Sequence, residues 1–362
     1  MEKYQHVFDN FIQFENLYDG YLLARRHKRF KQEILAYTAN LEENLIDAQN
    51  HLIWKDLEIE GVHSFYEYFP KRRIIHALPF RYRVMNCAAY RVLWPIYSKS
   101  FYEHSYGSIP YRGQIKAVRQ LQQWLRLVDR KPDKWYIGKA DVAKFFFRVP
   151  VDVQLRELGK PLDDPDMMWY LEKMIRADGR PFGLPLEISD PTDADLVAGV
   201  GMQVGSLISQ MTANIVLTPL DHYVKRTLLA PYYVRYMDDM IVLAPSKQQV
   251  WDTLHAMDDF LQGDYGLQLN NKTAVIPANH GVEFIGKVVH KDRIDLRKST
   301  SLRMKKHLRF IREHYGIGDI DYDYARSVIL SYLGVLKHTS DSALRDKMLQ
   351  DYKLVRHRTE RP

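Results

Sequence analysis

Val234-Arg235-Tyr236-Met237-Asp238-Asp239-Met240-Ile241-Val242-Leu243 is the stretch on which the fold turns. Two runs rich in β-branched and apolar residues flank an acidic tip, which reads as a β-hairpin carrying Asp238 and Asp239 at its turn. Adjacent carboxylates repel one another, and nearby burial raises the cost of keeping both charged. Divalent cations relieve that cost. A hard ion such as Mg2+ takes one or two carboxylates together with phosphate oxygens. Phosphoryl transfer uses two such ions about 3.5–4 Å apart, one for the attacking and one for the leaving oxygen. An Asp-Asp doublet is more often a solvated turn, so the tip needs company elsewhere in the chain.

That company lies upstream. Trp135-Tyr136-Ile137-Gly138-Lys139-Ala140-Asp141-Val142 reads as a strand ending on Asp141. Before it, residues 1–60 read as mostly helical, 71–78 as a short strand stopped by Pro79, and Phe80 to about Tyr97 as a helix. Ser105–Gly113 is a loop by its glycines and proline. Gln114 to about Val128 is an amphipathic helix through Val118, Leu121, Leu125 and Val128. Residues 151–180 read as helical and 183–199 as a loop of turn-formers. A helix is expected from near Ser206 to about Lys225. After the hairpin come a helix over Lys247–Gly263 and short strands near Leu267–Leu269, Thr273–Val275 and Val282–Val289. From Ser299 onward Met304, Leu308, Ile311 and Tyr315 step along one helical face.

The 362 residues are long enough for about two to three subdomains. No apolar run approaches the roughly 18–20 residues of a membrane span. The start, Met1-Glu2-Lys3-Tyr4-Gln5-His6, lacks a signal-peptide core. The single cysteine, Cys87, rules out an internal disulfide and any Cys-rich zinc site, and a cytoplasmic location is expected. No Walker P-loop is present. The net charge of +7 is unevenly spread: Pro70–Lys131 carries 13 basic residues against 2 acidic, Arg297–Pro362 carries 15 against 8, and Val151–Val200 reverses to 5 against 11. Two basic segments with interleaved aromatics suit a nucleic-acid backbone; a solvated basic surface is the plainer alternative.

The ordered motifs resemble those of prokaryotic reverse transcriptases of the group II intron, retron and diversity-generating retroelement assemblage. The likeness runs from Lys71-Arg72-Arg73-Ile74-Ile75 and Pro79–Val84, through Ser105-Tyr106-Gly107 and Asp141-Val142-Ala143-Lys144-Phe145-Phe146, to Gly201–Gln210. It continues through the acidic hairpin, Gly266–Thr273, Val282-Glu283-Phe284-Ile285-Gly286 and Ser331–His338. The resemblance implies an α+β right-hand polymerase: an N-terminal helical extension (1–69), fingers (70–135), a palm of β-sheet backed by helices (136–296, with a helical, acidic insertion at 151–200) and a helical thumb (297–362).

It also implies roles. Asp141, Asp238 and Asp239 would be catalytic and would hold two Mg2+ ions (Mn2+ as substitute), with the Val142 carbonyl assisting. Lys71 and Arg72, or Arg73 in the adjacent register, would meet the incoming triphosphate. Phe146 would sit where a ribose 2′-OH must be excluded, unless it is an ordinary core aromatic. Gly205 and Gln210 would border the nucleotide. Lys272 would neutralise the departing pyrophosphate or stand as a surface lysine.

Implied partners are an RNA template and primer, deoxynucleoside triphosphates, a structured non-coding RNA, and a basic accessory protein or further copies of the chain, with no membrane. Val204 before Gly205 and Ser209-Gln210 after it are like the diversity-generating enzymes, which implies error-prone copying. A phage-defence enzyme fits the length equally, and a catalytically reduced, maturase-like RNA-binding protein is the alternative of another class.

Overall fold

In the computed structural model, which describes residues 3–68, 73–188, 191–340, 345, 346, 349 and 353–356, helix and strand alternate where turn-formers punctuate the chain. The N-terminal helices are α1 (Val7–Phe11), α2 (Phe14–Ala24), α3 (Gln32–Ala39) and α4 (Leu41–Trp54). Then follow β1 (His63–Glu67), β2 (Arg73–Ala77), α5 (Phe80–Tyr97), α6 (Gln114–Asp129) and β3 (Tyr136–Asp141). The middle of the chain holds α7 (Phe145–Arg148), α8 (Val151–Gly159), α9 (Pro165–Arg176) and α10 (Leu207–His222). The remainder is β4 (Tyr232–Tyr236), β5 (Asp239–Ala244), α11 (Lys247–Tyr265), β6 (Ala274–Pro277), β7 (Val282–Phe284), β8 (Lys287–Val289), β9 (Ile294–Leu296), α12 (Lys298–Ile317) and α13 (Tyr322–Leu336). None of the described helices is long and apolar enough to cross a membrane.

Local chemistry explains several boundaries. Asp164 caps α9, accepting from the Met167 amide at 2.9 Å, and Pro165 opens that helix where its missing N–H costs nothing. Asp321 caps α13 in the same way through the Tyr324 amide at 2.7 Å. Gly318, left-handed at φ 95°, ends α12.

The chain forms two compact units, each assembled from three stretches. One comprises Met1–Ser108, Ala140–Leu229 and Thr253–Thr273; the other comprises Ile109–Lys139, Ala230–Asp252 and Ala274–Pro362. In the first, α5 is a central helix packed by α2 and α10, with Val84, Met85, Ala88, Ala89 and Leu93 buried. In the second, a four-stranded sheet has the order β4-β5-β3-β6, with β3–β6 and β4–β5 antiparallel. Helix α6 packs on β4, with Trp124 tilted against Tyr232 at 5.4 Å, while Trp135 lies 5.5 Å from the same ring. A separate three-stranded meander, β7-β8-β9, leads into α12 and α13, whose Met304, Leu308 and Leu336 close a small core on Leu296.

Three expectations are corrected. Leu267–Leu269 is not a strand: only Leu269 bridges, to Val142, and Leu267 instead returns its amide to Leu261 as α11 ends. Val282–Val289 is two strands, β7 and β8, reversing at Ile285 (φ 50°) and Gly286 (φ 73°). The strand near Thr273–Val275 starts at Ala274 and runs on to Pro277. Strands β1 and β9 are additions to the sequence reading, β1 pairing antiparallel with β2 and β9 with β8.

Candidate active site

The acidic hairpin is a two-residue reversal. Tyr236 pairs with Asp239 across β4 and β5, leaving Met237 and Asp238 as the turn. Met237 is left-handed at φ 54°, a conformation that costs a non-glycine residue about 1–2 kcal/mol. Arg235 steadies it. This arginine is completely buried in β4, and its Nη1 donates to the Met237 carbonyl at 3.1 Å. The flanking strands are apolar on both faces, with Tyr233, Val234, Ile241 and Leu243 fully buried. Asp238 and Asp239 are half-buried.

Asp141 is the last residue of β3, the strand next to β5, and it too is half-buried. Its carbonyl accepts the Asn270 amide at 2.7 Å, Val142 bridges Leu269, and the Ala143 amide donates to Gln268 at 2.9 Å. The backbone is thus anchored at the carboxylate and just after it. Phe146, half-buried in α7, packs edge-on to the buried Phe145 with ring centroids 5.6 Å apart. Lys272 is exposed, its amide donating to Asn270 Oδ1 at 3.0 Å within a turn.

Gly205 has φ 104°, which an L side chain rarely adopts, and the space beside it is open except for Ile75. Gln203, buried, donates to the His76 carbonyl at 2.9 Å and so ties this loop to β2. Loop and strand form one wall of a cavity of about 820 Å3 in the first unit. Gly205, Ser206 and Gln210 line it, and Arg26, Lys28, Lys31 and Arg83 supply positive charge. Arg83 is partly neutralised by Glu33 at 2.5 Å. Arg26, Lys28 and Lys31 belong to the basic stretch Arg25-Arg26-His27-Lys28-Arg29-Phe30-Lys31, which the tertiary fold brings beside Gly205. Neither Phe146 nor Lys272 lines this cavity. Lys71 and Arg72 lie outside the described residues.

A profile described as reverse transcriptase (RNA-dependent DNA polymerase) matches residues 69–289, which is more than half of the chain. The chain belongs to that family. Its fold is therefore the α+β right-hand polymerase, with the sheet that carries the acidic hairpin as palm. Among curated relatives of this reverse transcriptase, Protein YkfC of Escherichia coli is 24% identical over 57% of this chain and 60% of its own length. The Putative COX1/OXI3 intron 2 protein of Saccharomyces cerevisiae is 21% identical over 53% of this chain and 27% of its own. The matches thus span about three fifths and about a quarter of those proteins. A solved structure of telomerase from Candida albicans, in complex with a fragment of telomeric RNA, aligns at a TM-score of 0.48 and 12% identity over 86% of this chain and 61% of that one.

Reverse transcriptases work with divalent metal ions, generally Mg2+. The donor chemistry here is of the right kind: half-buried carboxylates, hard oxygen ligands, at the end of β3 and at the β4–β5 turn. Among the described residues no group of three or more His, Cys, Asp or Glu forms a ready-made metal cage.

Proposed function

We propose that the chain is an active RNA-directed DNA polymerase in which Asp141, Asp238 and Asp239 hold two Mg2+ ions, the Val142 carbonyl assisting. The observation that carries this reading is the placement of the three aspartates: Asp141 at the end of β3, Asp239 at the start of the neighbouring β5, and Asp238 in the adjoining turn. When bound, such ions activate a primer hydroxyl and stabilise the leaving pyrophosphate. The remaining roles fall to the chain. Arg235 keeps the hairpin tip in its strained turn. Gly205 lets a base pair approach the backbone, Gln210 borders it, and the aromatic ring of Phe146 leaves no room for a 2′-OH. Lys71 and Arg72 attract the triphosphate, and Lys272 donates to the departing pyrophosphate. The basic cavity beside Gly205 receives the phosphates of the RNA template.

The biological setting we infer is a diversity-generating retroelement, with error-prone synthesis and with a structured RNA and a basic accessory protein as partners. Val204 and Ser209-Gln210, flanking the positive-φ Gly205, support it. A template and variable repeat pair beside the gene is the expected genomic finding; a toxin-like or nitrilase-like neighbour points to phage defence instead.

Primer extension on an RNA template with Mg2+ tests the enzyme reading. Asp238→Ala should lower the rate about 1,000-fold or more, equivalent to roughly 4 kcal/mol of barrier. Wild type and variant equally inactive across several templates would overturn it in favour of an RNA-binding scaffold.

A further inference from the structure

The acidic loop that joins α9 to α10 is fastened to the backbone that carries Phe146. Lys144, left-handed at φ 47°, directs its ammonium into that loop and donates to the carbonyls of Pro185 at 2.7 Å, Leu186 at 3.0 Å and Ile188. An ammonium has three N–H donors, and all three are used. Both arms of the loop then bind the segment just after Lys144. On the first arm, Leu184 donates its amide to the Phe147 carbonyl at 3.1 Å, and Arg148 Nη1 reaches the Leu184 carbonyl at 3.5 Å. On the second arm, the Met202 amide donates to Phe146 at 2.7 Å and the Gly201 amide to Val149 at 2.8 Å, while Val151 donates back to Gly199 at 2.9 Å. Buried Gln154 joins Val149 to Gly201, its Nε2 donating to both carbonyls at 3.1 and 2.9 Å.

The two arms also close on each other. Gly183 and Val197 exchange both backbone hydrogen bonds at 3.0 Å. A Cβ at Gly183 would stand 2.3 Å from Val200 Cγ2 and 2.9 Å from the Val197 carbonyl, so the approach tolerates glycine alone. A solvated surface loop does not need such closure. Here three carbonyls and one amide in and just after α7, those of Phe146, Phe147, Val149 and Val151, are spent on the loop.

We propose that this loop is a clamp on Phe146 and that Lys144 is its latch, a positioning residue that sets sugar discrimination without touching the nucleotide. The idea rests on the polymerase reading and on Phe146 as the sugar filter. Release of the latch lets α7 move, and the ring then screens the 2′ position less well. Discrimination falls even though Phe146 itself is intact. Because an arginine also presents several donors, Lys144→Arg should preserve much of the clamp, whereas Lys144→Met should not.

Single-nucleotide incorporation with deoxy- and ribonucleoside triphosphates, paired with hydrogen exchange on the same full-length proteins, tests it. Lys144→Met is expected to cut the preference for deoxynucleotides about tenfold, chiefly through a lower KM for the ribonucleotide, and to speed exchange at the Leu184, Gly201 and Met202 amides. Lys144→Arg should restore most of both. Gly183→Ala, which forces the arms apart without touching Lys144, should give the same phenotype, and the double variant should be no worse than either alone. Unchanged discrimination in Lys144→Met and Gly183→Ala, while Phe146→Ala relaxes it, would overturn the clamp and leave the filter standing. Unchanged discrimination in Phe146→Ala would remove the filter and the clamp with it. Faster exchange across α5 and α10 as well would mark Lys144 as a general stabiliser, against the proposal.

Discussion

Arg235 is completely buried in the middle of a palm strand, where a guanidinium is costly unless its donors are met. One of them holds the Met237 carbonyl and with it the turn that presents Asp238. The hairpin that carries Asp238 and Asp239 was legible as sequence because Tyr-Met-Asp-Asp stands between β-rich apolar runs. Its support was not, although an arginine inside a strand buried on both faces is a signal that could have raised it. Lys144 shows the same limit more sharply: its partners lie some forty residues away, on carbonyls that carry no side-chain signature. Cys87 gives a pH-dependent expectation at this scale. Burial pushes its thiol from 9.0 up to about 11, so the folded protein keeps it protonated where the unfolded chain loses the proton. Stability therefore declines as pH rises from about 9 towards 11, the unfolded state then binding fewer protons. At pH 8 the native thiol should resist alkylation over hours and react at once in denaturant, as mass spectrometry would show; rapid native labelling would contradict the burial.

At the scale of elements, helices were read closely and short strands were not. The amphipathic faces of α6 and α12 follow from spacing alone, and Val118, Leu121, Leu125, Val128, Met304, Leu308 and Ile311 are all buried as their positions imply. The β7–β8 hairpin hid behind Ile285. A β-branched residue at positive φ is contrary to turn preferences, so Val282–Val289 looks like one strand. Strand β1 hid because most of its side chains are exposed and it is recognisable only through its pairing with β2. The contact between α6 and β4 makes a graded prediction. Trp124 and Trp135 both pack on Tyr232, but the indole N–H of Trp135 is buried without an acceptor. Trp135→Phe, which keeps an aromatic ring against Tyr232 and removes the unpaired N–H, should cost less, about 1–2 kcal/mol. Trp124→Ala should cost about 3–5 kcal/mol. Urea melts of the two variants decide the order, and a larger loss for Trp135→Phe would mean that its N–H is satisfied.

For the whole molecule, the uneven charge seen in the sequence has a folded counterpart. Arg309 and Arg312 of the C-terminal basic segment stand exposed on α12, while a cluster outside both segments, Arg26, Lys28 and Lys31, lines the cavity beside Gly205. If these groups hold nucleic-acid phosphates, binding of a template–primer must weaken linearly in log affinity against log salt. Arg309→Gln with Arg312→Gln should make that slope shallower by about one to two. An unchanged slope in fluorescence-anisotropy titrations would take α12 out of the interface. The interleaving of the two compact units has a different consequence, one for synthesis. Each unit needs three separate stretches of chain, and the four-stranded sheet lacks its edge strand β6 until residues 274–277 have been made. Translation therefore delivers most of the polypeptide before either core can close. Nascent β3 keeps one edge unpaired until β6 arrives, and neither compact unit is encoded by one contiguous stretch of the gene.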